Sequence, residues 1–442
     1  MPRPTMTPGA RLAAAIDVLE EYERVPAPAD AIVASYLRTR RYIGAKDRAA
    51  IQAAVFDQFR RRARIDWHIR AAGLEPSPRL RVIAQQALEA QRALAGPDDL
   101  FTGRGHDPAP LERTERDLFR RLAGKPLDNP SMPEAVRLEC PEWAEPGLRA
   151  ALGPAFAEEL AALIAPAPLD LRANALKADR TAVAGALAAD GIAVEPTPWS
   201  PWGLRRQGRI ALGALASFRA GLFEVQDEGS QLIAVLADAQ PGMQVVDFCA
   251  GAGGKTLALA ATMANKGRIV ACDIHAERLE RAGERLRRAD VHNVERRPLK
   301  TERDPWVKRH KLRFDRVVVD APCSGTGTWR RNPDARWRTP GPGLEALIGL
   351  QARILESAAR LVRPGGRLVY ATCSLLRAEN EERIEAFLAT APDFAVVAID
   401  TVQPALAPPD DGRFLRLTPA RHGTDGFFAA ILERAMPAVP AA

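Results

Sequence analysis

Apolar residues recur at helical spacing near the start of the chain. Within residues 9–70, ARLAAAIDVLEEY and DRAAIQAAVFDQFRRRARIDWHI each carry an apolar stripe, with Asp47 as a candidate cap for the second. RLRVIAQQALEAQRAL predicts a further helix, whereas Ala95 to Pro133 is rich in Gly, Pro and charge and reads as irregular. The texture changes from about Pro141 to Arg219. There a helix over EPGLRAALGPAFAEELAALI, a short strand at DLRANAL, a helix at RTAVAGALAADG and a strand and turn at WGLRRQGRIAL make a small α/β unit.

From about Val225, four apolar runs with β-branched residues alternate with helical segments. The runs are MQVVDFC, GRIVACDI, FDRVVVDA and GRLVYATC; the helices include TLALAATMAN, AERLERAGERLRRA and LEALIGLQARILESAARLV. Such alternation gives a parallel, doubly wound α/β sheet. At 442 residues the chain exceeds one domain of about 100–200 residues. Three domains are expected: a helical one over 1–135, a small α/β one over 136–222 and a Rossmann-like doubly wound one over 223–436.

The first strand of that sheet runs into CAGAGGKT, Cys249 to Thr256, and a helix follows. Glycines at such a turn let the backbone approach a ligand and present N–H groups from a helix N-terminus. A P-loop would need Gly where Cys249 stands, and a dinucleotide fingerprint would need Gly at Thr256, so neither phosphate signature is present. The second strand ends at Asp273, placed to accept from both ribose hydroxyls. A ribonucleoside without phosphate fits, and S-adenosyl-L-methionine is the expected cofactor. Cys249, Ala250, Gly251, Ala252, Gly253, Gly254, Lys255, Asp273 and Asp320 are its candidate ligands.

DAPCSGTGTWRRNPDARW, from Asp320 to Trp337, and YATCS, from Tyr370 to Ser374, each place a cysteine just past a strand's carboxyl end. Ligands of open α/β sheets bind at that edge. If the two strands are neighbours, about 4.8 Å apart, Cys323 and Cys373 can face one pocket. Such a pair suits methylation of a pyrimidine at carbon 5. A thiolate adds to carbon 6, the resulting enamine attacks the sulfonium methyl, and loss of the carbon 5 proton expels the enzyme. Asp320 is the candidate acid for N3 of cytosine. Lowered thiol pKa values are expected for the pair. Cys140, Cys249 and Cys272 read as small buried apolar residues.

Composition narrows the field. Five cysteines without a C-x-x-C pair make neither a disulfide framework nor a zinc site, so no metal is expected. MPRPTMTPGA has no apolar signal core, and no run approaches the roughly 18–20 apolar residues of a membrane span. The cytoplasm is the expected location. Net charge is +7, and the window Arg38–Arg70, with ten basic and three acidic residues, carries the same excess. That concentration predicts phosphate contacts with RNA, by Arg38, Arg40, Arg41, Lys46 and Arg48 among others. Arg330 and Arg331, beside Trp329 and Trp337, are expected to line the mouth through which a flipped base enters.

The motifs FEVQDEGSQL, CAGAGGKT, DAPCSGTG with RRNPD, YATCS followed by EN, and HGTDGFF resemble the Sun/Fmu (RsmB) family of RNA cytosine-5 methyltransferases. The similarity runs from about Pro141 to Arg434. It implies that Cys373 is the nucleophile and that Cys323 assists release. DNA cytosine methyltransferases use the Pro-Cys cysteine instead and lack the second, so the pair points to RNA, with 16S rRNA favoured. YLRTRRYIGAKDRAAI resembles the NusB-like RNA-binding domain of some bacterial members, and the middle unit resembles their RRM-like domain, without an RNP aromatic motif. One departure concerns the acid that members carry after the third strand, near the adenine. Here that slot falls near Thr301, leaving Glu302 or Asp304 to serve. An RNA-binding ribosome-assembly factor with a non-catalytic methyltransferase fold is the alternative. It predicts loss of a cysteine or of the glycine turn, and both are retained.

Overall fold

The computed structural model describes residues 5–89, 96–208, 210–338, 343–403 and 412–437. It divides the chain into two units. The first holds the described residues up to Arg149, together with 156–165 and the described part of 331–339; the second holds the rest.

The first unit is helical. Helices α1 (Pro8–Arg24), α2 (Ala29–Thr39), α3 (Ala45–Arg60), α4 (Arg62–Ala71), α5 (Pro78–Leu88) and α6 (Arg113–Leu122) turn their apolar stripes inward. Val18, Ile51, Val55, Ile65, Ile69 and Ile83 are buried together there. The long periodic run over 47–69 breaks at Arg61 into α3 and α4. Asp47 is not the cap of α3: Gly44 holds that position, and Asp47 lies inside the first turn. Its carboxylate instead accepts from Met6 N–H at 3.2 Å and Arg11 Nε at 2.8 Å. The helix expected to run to Leu94 is seen as far as Leu88, and residues 90–95 lie outside the described set.

Within the stretch expected to be irregular, α6 forms because RTERDLFRRL puts Leu118, Phe119 and Leu122 on one buried face. Glu115 closes its N-terminus, accepting from Glu112 N–H at 2.9 Å. The charges that suggested a loop belong to the outer face of an amphipathic helix.

A distant segment completes this core. Trp337 packs against it and donates from Nε1 to Phe59 O at 2.7 Å. Asp334 accepts from Ala29 N–H at the start of α2, and buried Arg336 donates to the carbonyls of Glu139 and Leu163.

In the second unit, a small antiparallel sheet has the order β2-β3-β1-β4, with β1 Leu169–Ala173, β2 Glu195–Pro196, β3 Gly203–Arg206 and β4 Phe223–Val225. The larger sheet uses β5 (Gln244–Asp247), β6 (Arg268–Asp273), β7 (Val294–Pro298), β8 (Phe314–Asp320), β9 (Val362–Thr372), β10 (Phe394–Val397), β11 (Phe414–Leu417) and β12 (Phe427–Arg434). Its order is β10-β12-β9-β8-β5-β6-β7, with β11 beside β12. Strands β9, β8, β5, β6 and β7 run parallel, and β12 runs antiparallel to β9. The order reverses between β5 and β8. An open α/β sheet has its crevice at such a switch point, beyond the carboxyl ends of the strands. Three segments therefore converge there: the glycine turn after β5, Asp320 at the end of β8 and the loop after β9. Among the described residues, no helix is long and apolar enough to cross a membrane.

Candidate active site

At the switch point lies a cavity of about 500 Å³. Cys249, Ala250, Gly251, Ala252, Gly254, Lys255, Asp273, Asp320, Cys323 and Cys373 all line it. The structure thus brings together the glycine turn, the acid of the second strand and both cysteines. Gly253 is the exception among the candidate cofactor ligands. Its backbone is left-handed, at φ 80°, and an added Cβ would sit 3.0 Å from the Ala282 Cβ. It is needed for the turn and for close helix packing, not for the lining.

Asp273 is held rigidly. Its Oδ2 accepts from Gly251 N–H and its Oδ1 from His275 N–H, both at 2.8 Å. Remaining lone pairs are available for ribose hydroxyls. On the floor, Asp247 gives Oδ2 to Thr256 Oγ1 at 2.6 Å, while its buried Oδ1 has no hydrogen-bond partner among the described residues. That orphaned acceptor facing a cavity is a place where a ligand's donor fits. Burial pushes the Asp247 carboxyl up to about 6, against the lowering effects of Thr256 and Lys255. Of the two acids proposed for the adenine, Glu302 lines the cavity and pairs with Arg353 at 2.7 Å. Asp304 instead caps a short helix, accepting from Trp306 N–H. Leu299, Ile354 and Leu350 supply apolar wall nearby.

The reacting corner is built from strand register. Asp320 lies opposite Ala371, which carries the chain ends of β8 and β9 out side by side. Cys323 and Cys373 then stand with sulfurs 3.4 Å apart, and Gly327 N–H donates to Cys373 O at 2.9 Å. The expectation of a lowered pKa fails for Cys323. Its hydrogen bond to Cys373 and then its burial push that thiol well above the ordinary range. Lys255 Nζ donates to Asp320 Oδ2 at 2.6 Å and to Ser230 Oγ at 3.0 Å. Of the three cysteines expected to be buried, Cys140 and Cys272 are, whereas Cys249 reaches the cavity wall.

Several contributors escaped the sequence reading. Arg172 of the small sheet donates to Gln226 Oε1 at 2.6 Å and to Gly254 O at 2.7 Å. Arg285 donates to Ala252 O at 2.8 Å. Two guanidinium groups therefore hold carbonyls of the glycine turn. Gln226 and Ser230 also line the cavity, and both lie in the FEVQDEGSQL motif, the signal that could have found them.

The basic residues divide. Arg38, Arg41 and Lys46 are exposed. Arg40 lies over the Tyr36 ring, 3.6 Å from its centre, and Arg48 donates to Ile43 O. Further along, Arg61 pairs with Asp57 and Glu89, and Arg64 with Glu139 and Asp128. Much of the charge beyond Arg48 is thus answered inside the helical unit. Arg330 differs from its expected role at a base-admitting mouth. It is 6% exposed and donates to Asp425 at 2.6 Å and to Gly423 O at 3.0 Å. Arg331 is half-buried and belongs to the helical unit.

Comparison with known proteins fits this geometry. The model of the family described as 16S rRNA methyltransferase RsmB/F matches residues 234–433. A second, described as the RsmF/B-like ferredoxin-like domain, matches residues 140–211. A probable ribosomal RNA small subunit methyltransferase B of Synechocystis is 33% identical over 412 residues, spanning 88% of this chain and 92% of that protein. The chain belongs to the RsmB/F family of rRNA methyltransferases.

Solved structures agree with that placement. The crystal structure of PH0851 is 28% identical and covers 98% of this chain and 100% of its own, with a TM-score of 0.79. A methyltransferase homolog from Pyrococcus horikoshii is 30% identical, covering 70% and 100%, with a TM-score of 0.59. As an RsmB/F member, the chain is an S-adenosylmethionine-dependent rRNA methyltransferase.

Proposed function

We propose that this enzyme methylates carbon 5 of a cytosine in 16S rRNA through a covalent adduct between Cys373 and carbon 6. The observation that carries the reading is the sulfur pair, 3.4 Å apart on the wall of the cavity that also holds Asp273 and the glycine turn. The name of the Synechocystis relative supports a small-subunit substrate.

S-adenosylmethionine, held by the glycine turn and Asp273, supplies a methyl group on a positively charged sulfur. Carbon 5 of cytosine is a poor nucleophile until sulfur adds to carbon 6. Cys373 forms that bond. Asp320 and Lys255, joined at 2.6 Å, are placed to hydrogen-bond N3 as electron density gathers there. After transfer, carbon 5 carries both the methyl group and its original proton. Loss of that proton to water re-forms the double bond as the sulfur–carbon bond breaks. The electron pair returns to Cys373, and the Cys323 thiol, already hydrogen-bonded to it, stabilises the departing thiolate. The target base must leave its stack to reach such a cavity.

The test is methylation of unmodified rRNA, followed by bisulfite sequencing. One newly protected cytosine is the expected result. A methyl group on another atom overturns the chemistry. Tight rRNA binding without any methyl transfer favours the assembly-factor alternative.

A further inference from the structure

Behind the cavity the two cysteine loops meet a second time. Ser324 follows Cys323 and Ser374 follows Cys373, and both hydroxyls donate to Oε2 of Glu379. Its Oε1 accepts from Ser324 N–H at 2.8 Å and from Gln351 Nε2 at 2.9 Å. Gln351 also donates to Pro322 O, one residue before Cys323. Four donors converge on a carboxylate that is completely buried, and an ionised carboxylate is an acceptor only. Glu379 is absent from the cavity lining, so it does not face the reactants.

We propose that Glu379 is a positioning residue for methyl transfer. By holding Ser324 and Ser374 on one carboxylate, it fixes where the Cys323 and Cys373 sulfurs meet. This rests on the cysteine chemistry proposed above and adds a group that acts through it. Each serine adjoins its cysteine, so displacement of either hydroxyl displaces a sulfur. The same negative charge opposes an anion at Cys323. Side-chain chemistry separates the two effects. Gln at 379 keeps the reach: its oxygen can accept from the two N–H donors, and its amide can donate to the two hydroxyl oxygens. Asp is shorter by one C–C bond, about 1.5 Å, and cannot serve both loops.

The experiment compares E379Q, E379D and E379A of the full chain on rRNA, with Cys373→Ala and Cys323→Ala in parallel. Misplacement of about 1 Å costs on the order of 100-fold, so E379A and E379D should lose that much in kcat, with cofactor affinity within twofold of the parent. E379Q should recover most of the rate. In E379Q, alkylation of Cys323 by iodoacetamide should move to lower pH. Full turnover in E379A, or a loss of cofactor affinity that accounts for the whole defect, overturns the proposal. If E379A does not fold, E379Q decides: an unchanged alkylation profile together with a rate as poor as that of E379D also overturns it. Activity in Cys373→Ala marks failure of the cysteine chemistry itself. An inactive Cys373→Ala beside a normal E379A marks failure of this inference alone.

Discussion

Arg330 donates from Nε to Asp425 Oδ1 at 2.6 Å, joining two motifs 95 residues apart. Asp227, the cap of the helix Glu228–Leu236, lies 3.7 Å from the same guanidinium and accepts from Asp425 N–H. RRNPD, HGTDGFF and FEVQDEGSQL therefore share one buried charge cluster. The last of these motifs also supplies Gln226 and Ser230 to the cavity.

Removing that cation leaves two buried carboxylates facing each other. Arg330→Met should destabilise the protein by about 3–5 kcal/mol, the usual cost of breaking a buried pair from one side. Adding Asp425→Asn should recover part of the loss. Urea unfolding measures both. A loss below about 1 kcal/mol would mean that the pair is solvated in practice.

What could be read from the sequence followed from local pattern. Strand–helix alternation announced the doubly wound sheet, and the glycine turn and strand-end cysteines announced the cavity, because each signal lies within a few residues. Long-range pairing stayed invisible. Arg61 and Arg64 looked like part of a solvated RNA surface, yet their partners Glu89, Glu139 and Asp128 come from distant segments. Likewise the loop beyond Arg330 read as part of the catalytic mouth, whereas Trp337 and Asp334 complete the helical unit. Glu379 stands in the EN that follows YATCS, but its link to the other cysteine loop was not legible there, since Ser324 and Gln351 come from distant segments.

Cofactor affinity should depend on Asp273. Its two oxygens are oriented by Gly251 and His275 N–H groups, so little reorganisation is needed on binding. Asp273→Ala should weaken S-adenosylmethionine binding by roughly 1–3 kcal/mol as charged hydrogen bonds disappear. Calorimetry reads this directly, and unchanged affinity removes the ribose assignment.

Asp247 gives a pH signature. Its carboxyl is raised to about 6 in the folded chain by burial, from an ordinary 3.8. The native state therefore holds the proton more tightly than the unfolded one. This group's penalty is absent below about 3.8, grows as pH rises through the window up to about 6, and is complete above it. Asp247→Asn removes the titration. The stability of the variant relative to the parent should rise between pH 4 and 6 and level off above. A difference that stays flat across that window contradicts the burial argument.

RNA affinity should depend on the exposed part of the basic segment. Changing Arg38, Arg41 and Lys46 together to Gln should flatten the dependence of log K on log salt by up to about 0.7–0.9 for each phosphate no longer neutralised. Arg64→Gln is the control, because its guanidinium is committed to Glu139 and Asp128. It should lower stability and leave the slope alone. Deleting residues 1–70 would be uninformative, since Val18, Ile51, Val55, Ile65 and Ile69 belong to the core of that unit. An unchanged slope in the triple variant places the RNA elsewhere.

The two cysteines should fail in different ways. Both sulfurs face the cavity and lie 3.4 Å apart, so position does not rank them. The proposed mechanism does, with Cys373 attacking and Cys323 assisting release. The hydrogen bond to Cys373 and burial push the Cys323 thiol up, which fits a group that acts late. A protein without its nucleophile forms no adduct at all, whereas one without its release partner forms the adduct and stalls. Cys373→Ala should therefore be inactive and give no RNA-linked species. Cys323→Ala should give a slow-migrating RNA–protein band on a denaturing gel, dependent on S-adenosylmethionine. Two thiols of purely structural importance would leave turnover normal in both variants. Trapping of the adduct in Cys373→Ala instead would make Cys323 the nucleophile, as in the DNA enzymes, and would require its thiol to lose the hydrogen bond that now raises it.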